Sequence, residues 1–192
     1  GAISCNNTHD AGTSLFGLDT FGQSFTATCS GQLTIISTAS WTSNNPTLTV
    51  TLYSGEGLSN QLAQLTNQTI TNSGTSPYSK DFASTTFDFS NANIDLVNGQ
   101  QYTFVVSGSG HQQYASNSST YAGGRAYYSG AFRDADFNFS VQVGTDNSAP
   151  SFTSATAESF AENGTGTVYT ATATDNAPAN FLLGSGNDES LF

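Results

Sequence analysis

We expect an all-β fold whose larger part is an antiparallel β-sandwich of the jelly-roll type. Short segments of alternating apolar and polar residues recur up to Val143, and none has the 3.6-residue period of an amphipathic helix. Charged residues make up 9% of the chain, so its polarity comes from Thr, Ser, Asn and Gly, which favour strands and turns. The 14 Phe and 8 Tyr residues can fill a core between two sheets. About eight or nine strands at regular spacing are typical of a jelly roll.

The predicted strands carry apolar side chains on one face and are separated by turn residues. In the first strand, Phe25, Ala27 and Cys29 share a face, and Asn98-Gly99 is a strong hairpin signal later in the chain. The predicted strands lie at residues 23–29, 33–38, 47–53, 62–70, 78–89, 94–97, 101–106 and 136–143. We interpret residues 1–22 as a tail that packs along this domain, and residues 111–133 as an irregular stretch rich in Tyr, Gly and Ser.

A short polar joint at Thr145–Phe152 ends the first domain. Pro150 has no N–H to donate to a sheet, and it favours an extended residue before it. The preceding Asp146-Asn147-Ser148 segment consists of turn formers that bond their own backbone. We therefore predict a jelly-roll module at residues 1–144, followed by a linker and the start of a second β unit at residues 145–192.

The net charge and the two cysteines limit the partners and the cellular compartment that we expect for the protein. The formal net charge of −11 makes nucleic acid and anionic membranes poor partners, because both are negatively charged. No apolar run approaches the length of about 18 residues that a membrane span needs. The acidic balance is explained either by solubility in an extracellular or salty setting or by Ca²⁺ sites. Cys5 and Cys29 predict one disulfide that ties the tail to the first strand, with two free buried thiols as the alternative.

Four motifs occur in a characteristic order before the joint. They are Gln23-Ser24-Phe25-Thr26-Ala27, Gly31-x-Leu33-x-x-Ile36, Leu48-Thr49-Val50-Thr51-Leu52-Tyr53-x-Gly55 and Asn98-Gly99-Gln100-Gln101-Tyr102-Thr103-Phe104. Their order resembles that of jelly-roll modules in large bacterial surface and secreted proteins, and the likeness spans residues 23–143. The resemblance implies a module that binds glycans or cell surfaces, or that serves as a spacer.

A second resemblance begins at the joint. Residues 158–175 contain Ala-Glu-Asn, a Gly-Thr pair before a strand, and Ala-Thr-Asp at its end. They resemble the opening of a cadherin-like repeat, while residues 146–152 resemble the linker between such repeats and residues 186–192 resemble the middle of one. The resemblance implies roughly half of an Ig-like sandwich, since a whole one needs about 100 residues.

The cadherin-like resemblance also implies a Ca²⁺ site at the joint. Its ligands would be Asp146, Glu162 and Asp175, because hard carboxylate oxygens suit this ion. Ala177 stands where the family has a further Asp, and the linker is poor in acids, so solvated turn acids are the alternative.

Jelly rolls often hold a structural Ca²⁺ near their last strand, so the jelly-roll resemblance implies a second Ca²⁺ site there. Asp134 and Asp136 would supply it, with Asp10 or Asp19 from the N-terminal region. The alternative is a pair of acids that cap a hairpin.

Aromatic and polar side chains predict the ligand surface. Sugar rings stack on aromatic faces, while Arg, Asn and Gln bond their hydroxyl groups. The candidates are Tyr114, Tyr121, Arg125, Tyr127, Tyr128 and Trp41. The alternative is that these aromatics fill the core or cover a sheet edge.

These features predict a non-enzymatic, extracellular cell-surface module that binds a glycan or another surface ligand at the end of a cadherin-like stalk. No Gly-x-Ser-x-Gly motif, credible Cys/His pair or compact acidic motif indicates catalysis. Its further partners would be other repeats of the same polypeptide or a neighbouring chain that supplies a strand. The alternatives are a carbohydrate-binding module of a secreted hydrolase and a purely structural spacer or filament subunit.

Overall fold

The computed structural model describes residues 3–42, 46–70 and 85–144, together with the backbone of residues 151–152 and 173–174. Every regular element in these ranges is a β-strand, which confirms the predicted all-β class. The strands up to residue 144 are β1 (Ile3–His9), β2 (Ser14–Gly17), β3 (Thr20–Thr26), β4 (Gly31–Thr38), β5 (Ser40–Thr42), β6 (Thr47–Ser54), β7 (Gln61–Thr69), β8 (Thr86–Asp88), β9 (Asp95–Leu96), β10 (Gln101–Ser107), β11 (His111–Ser116), β12 (Ala126–Tyr128), β13 (Ala131–Arg133), β14 (Asp136–Phe137) and β15 (Phe139–Gly144).

These strands form three antiparallel sheets. Sheet I has the order β1-β15-β4-β8, with β9 also paired to β4. Sheet II has the order β13-β12-β3-β10-β6-β7, and the small sheet III has the order β14-β11-β2 with β5 also paired to β11. Strands that are neighbours in a sheet are mostly distant in sequence, so the sheets depend on long-range pairing.

The core lies between sheets I and II, which makes the fold a β-sandwich. Phe139 of β15 packs against Phe25 of β3 and Phe104 of β10, with ring centroids 6.1 and 6.0 Å apart. Val50 in β6 and Ile36 in β4 belong to the same buried cluster, and both are fully buried. The alternation in the sequence thus predicts the inward faces, because successive side chains of a strand point to opposite sides. The finer jelly-roll topology stays a prediction.

The N-terminal residues are strands, and the prediction of a tail at residues 1–22 is wrong. β1 pairs with β15 along its length, for example Asn7 with Val141. Its polar sequence has no apolar alternation, and the burial of Asn7 and His9 is compensated by hydrogen bonds to Thr26 O and to the side chain of Thr120.

The predicted disulfide between Cys5 and Cys29 is confirmed, with Cα atoms 6.4 Å apart. It connects β1 of sheet I to the turn between β3 and β4, across a sequence separation of 24 residues.

The chain divides into two compact units, Gly1–Thr145 and Asp146–Phe192. In the second unit the structure describes two short antiparallel strands, β16 (Ser151–Phe152) and β17 (Ala173–Thr174). The cadherin-like identity of this unit stays a prediction. The part of the chain that the structure describes contains no helix long and apolar enough to cross a membrane.

Candidate ligand-binding site

Two of the predicted ligand tyrosines pack inward, Tyr114 as a buried residue and Tyr128 as a partly buried one. Tyr114 in β11 exposes 2% of its surface, so it cannot present its ring to a ligand. Tyr128 in β12 packs against Phe137 and Phe16, with ring centroids 6.0 and 5.7 Å apart. Tyr114 is corrected to a structural residue because it is buried, whereas the partly buried Tyr128 packs against the core with part of its surface.

Tyr121 also has a structural role. Its ring lies 5.3 Å from that of Phe139, and its hydroxyl oxygen accepts hydrogen bonds from Asn7 Nδ2 at 3.1 Å and from Thr26 N at 3.3 Å. The Tyr121 hydroxyl therefore connects β1 to β3, and its ring contacts Phe139. These contacts occupy most of the groups that a ligand could use.

Arg125 is held in an ion pair outside sheet II. Its Nε and Nη2 atoms donate to Glu56 Oε1 at 2.8 and 2.5 Å, and Ser24 Oγ donates to Glu56 Oε2 at 2.9 Å. The hydrogen bond from Arg125 lowers the pKa of Glu56 against a smaller opposing effect of burial, and the pair raises the pKa of Arg125. A ligand that used Arg125 would have to compete with Glu56.

Tyr127 lies on the outer face of sheet II. Directly paired residues on adjacent antiparallel strands point to the same face, and Tyr127 pairs with Gly22, which pairs with Val105. The Tyr127 ring centroid is 5.2 Å from that of Phe132. Tyr127 therefore remains a partly exposed aromatic on this face.

Trp41 lies beside a pocket in sheet III. Gln112 in β11 pairs on one side with Trp41 in β5 and on the other with Gly17 in β2, so the three residues form one row on one face. The pocket has a volume of about 270 Å³. It is lined by Gly17, Leu18, Asp19, Trp41, Gly110, His111 and Gln112.

His111 forms the buried side of this pocket, with 5% of its surface exposed. Its Nε2 atom lies 2.8 Å from Gly108 O, and its Nδ1 atom lies 2.6 Å from Gln113 Nε2. These partners favour the neutral ring, in which Nε2–H donates to the carbonyl and Nδ1 accepts from the amide. Burial lowers the pKa of His111, although the Gly108 carbonyl and the nearby Asp19 carboxylate oppose this shift.

A buried hydrogen-bond network lies on the opposite face of sheet III from Trp41 and Gln112. Ser40 Oγ donates to Gln113 Oε1 and lies 2.9 Å from Thr38 Oγ1. Because Ser40 and Gln113 are directly paired across β5 and β11, the network fixes the strand that carries Trp41 against the strand that carries Gln112.

The predicted Ca²⁺ site before the last strand is not assembled. Asp136 is fully buried, and its carboxylate accepts from Gln23 Nε2 at 2.9 Å, Thr120 N at 2.8 Å and Tyr121 N at 2.9 Å. Its oxygens are therefore used by protein N–H groups, while Asp134 is exposed. This corrects Asp136 from a metal ligand to a structural carboxylate.

Within residues 3–42, 46–70 and 85–144, no three His, Cys, Asp or Glu side chains form a group that could hold a metal ion. The other predicted calcium ligands, Asp146, Glu162 and Asp175, lie outside the described residues.

A comparison with protein families, curated proteins and solved structures finds no match for this chain. The assignment of the pocket therefore rests on its geometry. Trp41 is the only predicted ligand residue that lines the pocket. Sequence reasoning missed Gln112 and His111 as residues that line a pocket, and considered Asp19 only for Ca²⁺. Their one signal in the sequence was that His111 and Gln112 begin the aromatic stretch at residues 111–133.

Proposed function

We propose that residues 1–144 form a non-enzymatic, extracellular binding module that holds one sugar residue of a glycan in the Trp41 pocket. The observation that carries this proposal is the row of Trp41, Gln112 and Gly17 at a pocket of about 270 Å³. Specific small-ligand sites combine an apolar or aromatic surface with a few placed polar groups, and this pocket has both.

The chemistry of a sugar fits these side chains. One face of a pyranose ring consists of C–H groups, which pack on an indole, and its rim consists of hydroxyl groups. The Gln112 amide can both donate to and accept from hydroxyls, and the Asp19 carboxylate accepts from them. Gly17 has no side chain, and the Gln112 side chain lies over it, with Nε2 3.8 Å from where a Cβ atom would be. The volume lies just below the usual range for drug-sized ligands, about 300–1,000 Å³, so the pocket suits a single sugar residue.

An extracellular location is supported by the disulfide and by the acidic charge. Disulfides persist in oxidising compartments, and the net charge of −11 keeps the chain soluble there. In this proposal the module is a jelly roll at the end of a cadherin-like stalk on a bacterial cell surface, and Ca²⁺ stiffens the joint through Asp146, Glu162 and Asp175. A module of this kind is equally suited to a secreted hydrolase as its carbohydrate-binding part.

A glycan array with the first unit tests the proposal. We expect binding by the wild type, a loss of at least about tenfold in affinity for Trp41→Ala, and unchanged binding for Tyr127→Ala. Tyr127 is the matched control because it is a partly exposed aromatic in another sheet. A thermal melt of each variant verifies folding.

Two results would count against this assignment. If no glycan binds to the folded wild type, the module is not a lectin. If Tyr127→Ala loses binding while Trp41→Ala keeps it, the sugar site is on the outer face of sheet II.

The second candidate function is a structural spacer or filament subunit, and strand β7 favours it. In the described part of the chain, β7 forms one edge of sheet II, and its nine residues carry no charge. Uncharged edge strands accept a further strand from another chain. Concentration-dependent assembly in light scattering, together with an empty glycan array, would support this alternative.

A further inference from the structure

The charge of the Trp41 pocket defines which sugars fit it. Of the residues that line the pocket, Asp19 and His111 have ionisable side chains. Asp19 is exposed and supplies one of the formal negative charges of the chain. Its position is fixed by the backbone, because Gly108 N donates to Asp19 O at 2.8 Å.

His111 does not neutralise this carboxylate at neutral pH. Both of its ring nitrogens are engaged in the arrangement of a neutral ring, with Gly108 O and with Gln113 Nε2. The ring is also buried, which disfavours its charged form. The pocket therefore carries one negative charge.

In the described ranges, no Lys or Arg side chain lines the pocket to balance this charge. Arg125 is paired with Glu56. Arg133 donates from Nε to Tyr128 O at 2.9 Å, and its guanidinium lies 5.0 Å from the Tyr128 ring centroid. A carboxylate or sulfate on a ligand would meet Asp19 without a compensating cation, and the chain as a whole repels anions.

We infer that the pocket selects sugars that carry a free amino group over neutral sugars, and neutral sugars over acidic ones. This inference rests on the proposed glycan-binding function. An ammonium group would form a charge-assisted hydrogen bond with Asp19, and the face of Trp41 attracts cations through its ring quadrupole. Asp19 is thus the specificity-determining residue of the site.

The test compares methyl glycosides that differ in one substituent. Glucosamine, glucose, N-acetylglucosamine and glucuronic acid share one ring, and the galacto series gives the same set with the other configuration at one carbon. Monovalent glycosides are required, because a polymer of amino sugars would be attracted by the net charge of the chain without using the pocket. Affinities are measured near neutral pH by nuclear magnetic resonance titration of the protein.

Asp19→Asn is the decisive variant, and Asp134→Asn is its matched control. Asp134 is also exposed, so both substitutions change the net charge by the same amount. We expect the amino glycoside to bind about twofold to fivefold more tightly than the neutral one, a range that reflects an exposed ion pair. Asp19→Asn should abolish this preference, while Asp134→Asn should keep it.

The possible failures are distinct. If neutral glycosides bind through Trp41 but the amino group gives no advantage, or if Asp19→Asn keeps the preference, the inference is overturned and the proposed function stands. The same holds if the acidic glycoside binds best. If no glycoside of either series binds, the proposed function is overturned and the inference with it.

Discussion

The buried carboxylate of Asp136 offers the sharpest test of the fold, through the substitution Asp136→Asn. Gln23 is fixed in one orientation, because its Oε1 accepts from Phe137 N at 2.9 Å and its Nε2 donates to Asp136. An asparagine at position 136 can turn its oxygen toward Thr120 N and Tyr121 N, but its amide nitrogen then faces Gln23 Nε2. No orientation satisfies every donor.

The expected loss in the free energy of unfolding follows from the hydrogen bonds that the variant cannot form. One buried hydrogen bond disappears and two N–H groups face each other, and a buried unsatisfied donor costs about 1–3 kcal/mol. We therefore expect Asp136→Asn to lower the free energy of unfolding by about 2 kcal/mol, measured by urea denaturation. Asp134→Asn, an exposed acid two residues away, should change it by less than about 0.5 kcal/mol.

A compensating substitution makes the test specific. In the Asp136→Asn background, Gln23→Glu supplies a carboxylate that accepts from the new amide and still accepts from Phe137 N. The double variant should recover part of the lost free energy but not all of it, because a glutamate at position 23 cannot donate to Ser24 O as Gln23 Nε2 does at 3.1 Å. If Asp136→Asn is as stable as Asp134→Asn, the hydrogen-bond account is refuted. If calcium stabilises the wild type and this effect disappears in Asp136→Asn, Asp136 is a metal ligand after all.

Two further predictions concern the disulfide and His111. Replacing both Cys5 and Cys29 by serine should lower the free energy of unfolding by about 3 kcal/mol, the effect expected for a loop of this length; an unchanged urea midpoint would show that the β1–β15 pairing alone holds the N terminus. Because the folded state binds fewer protons than the unfolded state at His111, stability should fall as the pH drops from the ordinary value of 6.5 through the lowered pKa. Urea titrations between about pH 8 and about pH 5 should show a flatter dependence in His111→Gln, and equal slopes in both proteins would contradict this reasoning.

The sequence predicts the central strands well because apolar residues recur at every second position along them. The predicted strands at residues 47–53 and 101–106 correspond to β6 (Thr47–Ser54) and β10 (Gln101–Ser107). The strands β1 and β11 escape prediction because both of their faces are polar or mixed. Their buried polar groups, such as Gln113, are satisfied by partners far along the chain, and alternation does not report such pairs.

The orientation of the tyrosines is a further limit of sequence reasoning. Tyr127 and Tyr128 are adjacent, so a strand places them on opposite faces. Which of them faces the core depends on the pairing of β12 with β3 and on the position of Phe137. Neither of these two factors can be read from the local sequence. The stretch with four tyrosines therefore predicted a ligand surface, although three of the tyrosines have structural contacts.

The pocket illustrates how a polar interior can create a binding site in a sandwich. Along β5 and β11, Trp41 and Gln112 alternate with Ser40 and Gln113, so the two pairs face opposite sides of sheet III. The inner pair is hydrogen-bonded and buried, and it sets the register that places the outer pair side by side. An apolar inner pair would tolerate sliding of so short a strand, since dispersion contacts have no preferred direction. The buried polar residues that obscured β11 in the sequence are therefore the ones that position the indole next to the amide.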